Sequence, residues 1–84
     1  MNVMSTVETI KEQLIAQGLK TRDRVFVKMD ENTLKVSRGN CGAIITYANG
    51  TDTYSVTYYK EFAITGRLEN VTVDNLLTAV RNSY

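Results

Sequence analysis

Apolar residues recur along this chain with two different periods. Val7, Ile10, Leu14 and Ile15 fall at i, i+3, i+7 and i+8, one stripe of an amphipathic helix. Ser5-Thr6-Val7-Glu8 reads as a capping box in front of it: the Ser5 hydroxyl accepts from the Glu8 amide and the Glu8 side chain reaches back to the Ser5 amide. Gly18 suits the residue just past the end, so a first helix is expected over about Thr6 to Gln17. Val73, Leu76, Leu77 and Val80 form a second stripe. Thr72 as N-cap, Asp74 at the positive end and Arg81 in the last turn frame a second helix over about Val73 to Asn82.

Between the stripes the period drops to two, the signature of half-buried strands. Val25, Val27 and Met29 alternate with Arg24, Phe26 and Lys28; Asp30-Glu31-Asn32 makes a turn; Leu34 and Val36 alternate with Lys35 and Ser37 in a strand over Thr33 to Arg38. Pairing Met29 with Leu34 and Val27 with Val36 gathers the aliphatic residues on one face and sets Lys28 opposite Lys35. Gly39-Asn40-Cys41-Gly42 reads as a loop or bulge, and the next strand runs from Ala43 to Ala48.

Asn49-Gly50 is the strongest short-range signal, because both residues accept the positive φ of a type I′ hairpin turn. A two-residue loop would set Ile45 opposite Tyr54, Ala43 opposite Val56 and Tyr47 opposite Asp52, with Thr46 facing Thr53 and Ile44 facing Ser55 on the other side. The following strand starts at Thr51 and carries Tyr54, Val56 and Tyr58 inward. It either continues, bent, through Phe62 and Ile64 or turns at Lys60-Glu61 into a fifth strand; Gly66 to Val71 reads as a connector.

The order is therefore α-β-β-β-β(-β)-α. This is an α+β fold, a four- to five-stranded antiparallel sheet with N- and C-terminal helices packed on one face, formed by residues 1–84 as a single small domain. The other face is left to solvent or to a partner. Period-two counting assigns to it Arg24, Phe26, Lys28, Lys35, Ser37, Ile44, Thr46, Thr53, Ser55, Thr57 and Tyr59. Like charges opposed on a sheet destabilise it mildly, and an anionic partner would relieve Lys28 and Lys35.

Composition narrows the chemistry. The 84 residues are 43% hydrophobic, enough for one modest core. The net charge of +1 gives no long-range attraction to nucleic acid. Histidine is absent, which removes the commonest general base and metal ligand and with them the usual serine and cysteine triads. One cysteine plus carboxylates does not make a structural zinc site. Cys41, the single thiol, has only Arg38 near it in sequence to activate it and reads as a small packed side chain. Neither an enzyme nor a cofactor or metal is expected. No apolar run approaches the roughly 20 residues of a membrane span. The first residues, Met1-Asn2-Val3-Met4-Ser5, lack the basic and apolar regions of a secretory signal, so a cytoplasmic location is expected.

The expected function is that of a non-catalytic protein-binding module, of the small inhibitor, adaptor or phage- and plasmid-accessory kind. Its partner-binding residues are expected to be Arg24, Phe26, Lys28, Lys35, Thr46, Thr53, Ser55 and Tyr59. Tyr59 and Tyr84 are the better interface candidates among the five tyrosines, with Tyr54 and Tyr58 at the core edge. The alternative is a nucleic-acid module, with Phe26 stacking a base between basic flanks, although no RNA-recognition, KH or helix-turn-helix motif is present. A third reading is self-association into a homodimer through outer faces or edge strands.

Overall fold

A computed structural model describes residues 6–19, 22, 24–48 and 53–81. Five strands, β1 (Val25–Asp30), β2 (Thr33–Arg38), β3 (Cys41–Ala48), β4 (Thr53–Lys60) and β5 (Ala63–Val71), form one antiparallel meander in the order β1-β2-β3-β4-β5. Helix α1 (Thr6–Ala16) precedes the sheet. A 3₁₀ turn (Val73–Asn75) leading into α2 (Leu76–Arg81) follows it. Both helices pack on the same face, α1 against β2 and α2 against β4 and β5. The expected α+β architecture is the one observed, with five strands rather than four.

The core lies between that face and the helices. Val7, Ile10 and Leu14 of α1, Leu34 and Val36 of β2, Ala43 and Ile45 of β3, Tyr54 and Val56 of β4, and Leu76, Leu77 and Val80 of α2 are all buried in one cluster. Ile15, expected in the helical stripe, is 44% exposed. It lies about 80° around the helix from Val7, beyond the arc that the sheet covers.

Helix α1 ends in a Schellman motif. Gly18 takes φ +110°, its amide donates to the Ile15 carbonyl at 3.0 Å, and the Leu19 amide donates to the Leu14 carbonyl at 2.9 Å. Leu14 and Leu19 both join the core, the apolar contact that usually accompanies this cap. Ser5 of the capping box, the Asn49-Gly50 turn and Tyr84 lie outside the described residues.

Two strand registers differ from expectation, with different consequences. In β3–β4 the pairs are Ala48 with Thr53, Tyr47 with Tyr54 and Ile45 with Val56, so four residues separate the strands rather than two. This register sets two fully buried aliphatic side chains opposite each other. It also brings the Tyr47 and Tyr54 rings to 5.3 Å at a tilt of 53°, a favourable aromatic geometry. An offset of two keeps every side chain on its expected face.

In β1–β2 the offset is one. Phe26 pairs with Val36, Val27 with Lys35 and Lys28 with Leu34. A one-residue slip exchanges the two faces of a strand, and its cause is a bulge between Lys28 and Asp30. Asp30 closes the turn by accepting the Asn32 amide on Oδ1 at 2.8 Å and pairs with Thr33. The bulge absorbs the extra residue. The result turns Phe26 toward the core, with the Lys11 ammonium 5.1 Å from its ring centre, and leaves Val25 and Val27 outside.

Further along, Cys41 and Gly42 belong to β3 rather than to a loop, the turn being Gly39-Asn40. Residues 66–71 belong to β5 rather than to a connector. The chain reverses at Glu61-Phe62, where Glu61 takes φ +58°. From this two-residue turn Lys60 pairs with Ala63 and Tyr59 with Ile64, which puts Ile64 on the outer side, and a slip after that pair sets Tyr58 opposite Gly66.

Candidate functional site

The sheet face away from the helices is built from cross-strand rows. One runs Val25, Ser37, Gly42, Tyr59, Ile64; the next runs Val27, Lys35, Ile44, Thr57, Arg67. Beside them Thr33, Thr46 and Ser55 make a hydroxyl strip, with the Thr33 and Thr46 hydroxyls 3.3 Å apart, and Ala48 and Thr53 close the far end.

Of the residues expected to bind a partner, the structure brings Lys35, Thr46, Thr53, Ser55 and Tyr59 together on this face. Arg24, Phe26 and Lys28 are not with them. Phe26 and Lys28 share the helix-covered side with Val36 and Leu34, and Arg24 is half-buried at the start of β1. The opposed Lys28–Lys35 pair does not exist, since Lys28 faces Leu34 and Lys35 faces Val27. The Arg24-Phe26-Lys28 pattern that suggested a base-stacking platform is therefore not displayed on the open sheet. Its ring packs against the core instead.

The face gains apolar surface in exchange. Val25 (59% exposed) and Val27, inward by alternation, stand outside, as do Ile64 (74% exposed) and the wholly exposed Phe62. The bulge before Asp30 sets the side of Val25 and Val27, and the turn at Glu61-Phe62 leaves Phe62 at its tip and Ile64 opposite Tyr59.

At one end these groups surround a cleft of about 360 Å³ lined by Lys35, Ser37, Gly39, Asn40, Tyr59, Glu61 and Phe62. Two adjacent hairpin turns form its rim, Gly39-Asn40 and Glu61-Phe62. They are tied together by the Glu61 amide, which donates to the Asn40 carbonyl at 2.5 Å. The floor is Tyr59, whose ring crosses Gly42, and the Lys35 ammonium stands 5.1 Å from the ring centre, within cation–π range. Further across the sheet Arg67 pairs with Glu69 at 3.2 Å, so the charges here are of both signs. The site can offer an aromatic anchor, an ammonium and turn carbonyls.

Cys41 is half-buried at the start of β3. Among the described residues no three His, Cys, Asp or Glu side chains group closely enough to hold a metal ion. No described helix is long and apolar enough to cross a membrane.

The fold and this face together define a small α+β domain whose meander sheet, among the described residues, is covered on one side. Scans against protein-family models, curated proteins and solved structures each returned no match.

Proposed function

We propose that the chain is a non-catalytic protein-binding module whose contact surface is the outer sheet face, centred on Tyr59, Phe62 and Ile64 with Lys35 beside them. The observation that carries this reading is the position of Phe62. A phenylalanine standing wholly in water at a hairpin tip, next to a tyrosine-floored cleft and an exposed isoleucine, wastes its largest stabilising contribution unless something else buries it. Aromatic anchors amid a polar rim are the composition of interface centres, where a few such residues carry most of the binding energy. Thr46, Thr53 and Ser55 extend the surface as that rim. A fitting partner presents an apolar pocket for the Phe62 ring and a carboxylate for Lys35.

The reading is tested by quantitative capture from the native host with wild-type protein, Phe62→Ala, Lys35→Glu and, as a control on the opposite side, the exposed α1 position Glu12→Ala. A protein retained by wild type and Glu12→Ala is expected to fall at least tenfold with Phe62→Ala and to weaken with Lys35→Glu, all four chains melting alike. Identical capture by all four removes the outer face as the binding surface.

A further inference from the structure

The sheet has two edges, and they differ. Along β5 the pairing is interrupted twice, between Tyr54 and Val56 and between Tyr58 and Tyr59, and Asn70 takes φ +57°. An edge broken in this way is a poor template for another strand. Along β1 the single register shift falls after Lys28, the four pairs from Val25 to Lys28 are unbroken, there is neither glycine nor proline, and Val25, Val27 and Met29 are exposed at 59%, 44% and 54%. Among the described residues nothing pairs with its far side. The N–H and C=O groups along an unpaired strand edge are a ready acceptor for one more strand.

We propose that this strand is a second copy of β1, joined antiparallel about a two-fold axis perpendicular to the sheet at Val27. The side-chain chemistry selects both occupant and register. Directly opposed residues of two antiparallel strands share a face, so symmetric pairing must be centred on a residue. Centred on Phe26, Arg24 would oppose Lys28 of the second copy, twice over. Centred on Lys28, that lysine would oppose itself. Of these three centres, only Val27 opposes no like charges. On the stretch of β1 before the bulge, Val27 meets Val27 and Phe26 meets Lys28. The strand therefore accepts its own copy in one register. Pairing in it makes the two outer faces one continuous surface, with the Val27–Lys35–Ile44 row running unbroken across the axis.

This inference does not depend on the outer face binding a partner, and its test reads only assembly. Sedimentation equilibrium of the whole chain is expected to give the mass of two chains, shifting to one with Val27→Lys, which opposes two ammonium groups across the axis at an exposed position. Register is read by cysteine pairs in a Cys41→Ser background. Val27→Cys brings two Cα atoms to about 5 Å, within disulfide reach, whereas Val25→Cys leaves them about 14 Å apart. Mild oxidation is expected to cross-link the first variant at least tenfold faster than the second. A wild-type monomer at millimolar concentration, a Val27→Lys protein that remains dimeric, or equal cross-linking of the two cysteines each overturns the proposal. Circular dichroism confirms that each variant is folded before its mass is read.

Discussion

The ring of Tyr59 lies across Gly42, its partner on β3, so closely that a Cβ at position 42 would come within 2.6 Å of Cζ and 2.7 Å of Cε1. Gly42 is buried beneath it although it sits on the outer face of the sheet. A glycine in a strand interior usually weakens the strand, and covering it with a cross-strand aromatic ring restores the lost packing. Here the same contact fixes the ring as the floor of the cleft and as the platform for Lys35.

Gly42→Ala is therefore expected to push the Tyr59 ring off the sheet. The cost of the displaced packing is about 1–2 kcal/mol, partly offset by the lower chain entropy of alanine in the unfolded state. The ring-current shift of the Lys35 side-chain protons should collapse toward its random-coil value in the NMR spectrum. In a Tyr59→Ala background the same substitution should cost little, because the clashing group is gone. Equal destabilisation in both backgrounds, read by urea unfolding, contradicts the contact.

The β1 register predicts an inverted pair of mutational effects. Alternation of apolar residues makes Val27 the core residue and Phe26 the surface one, whereas the pairing found makes the reverse true. Phe26→Ala should cost about 2 kcal/mol, below the usual range for a fully buried phenylalanine because this one is half-buried. Val27→Thr, read at a dilution where the chain is monomeric, should stay within about 0.5 kcal/mol, as expected of a position exposed in the single chain. Urea midpoints at constant m-value distinguish the two registers, and a Val27 variant that loses more than its Phe26 counterpart restores the alternation reading.

These particulars show where the sequence was legible. Helix stripes, the Gly18 terminus and strands β2 to β4 were readable because each is a repeated local signal: three or four apolar residues at one period, or a residue that takes the φ that a cap demands. The faces of β2, β3 and β4 followed from parity, which survives the two-residue register offset between Tyr47 and Tyr54. The faces of β1 and β5 did not, because parity is reset by a single extra residue. The bulge at Lys28/Asp30 carries no glycine or proline signal, and Gly66, at the β5 slip, reads from sequence as the start of a connector. The candidate site sits where that reset happens. Hence Lys35, Thr46, Thr53, Ser55 and Tyr59 lie on the face that parity assigns them, while the sides of Phe62 and Ile64 depend on where the chain turns, which parity does not decide.

Gln17 is a second position that periodicity alone does not expose. From the end of α1 its Nε2 donates to the Val73 carbonyl at 2.6 Å and its Oε1 accepts the Leu77 amide at 3.3 Å, so one side chain joins α1 to the start of α2. Thr72, the expected N-cap, sits at the cap position with extended backbone but gives no side-chain cap. Its Oγ1 instead accepts from Asn75 Nδ2 at 3.0 Å. Gln17→Ala should cost about 1–2 kcal/mol, the usual effect of losing a helix cap together with a part-buried hydrogen bond. Thr72→Ala should cost less. Chemical denaturation that ranks the two variants the other way round would assign the capping to Thr72.

Tyr58 links alkaline stability to one hydrogen bond. Its hydroxyl donates to the Ala79 carbonyl of α2 at 2.6 Å, and burial of the ring's polar end pushes its pKa above the ordinary value of 10.0. The folded chain thus holds this proton more tightly than the unfolded chain does. Its contribution is complete below pH 10, where both states are protonated. It drains away as pH rises from there through the folded-state pKa, because the unfolded phenol ionises first. Tyr58→Phe removes both the bond and the proton. At pH 8 the variant should be about 1 kcal/mol less stable than wild type in urea. As pH is raised past 10 the two unfolding free energies should converge, wild type falling faster. A gap that stays constant from pH 8 to pH 11 would mean that the Tyr58 proton is not linked to folding.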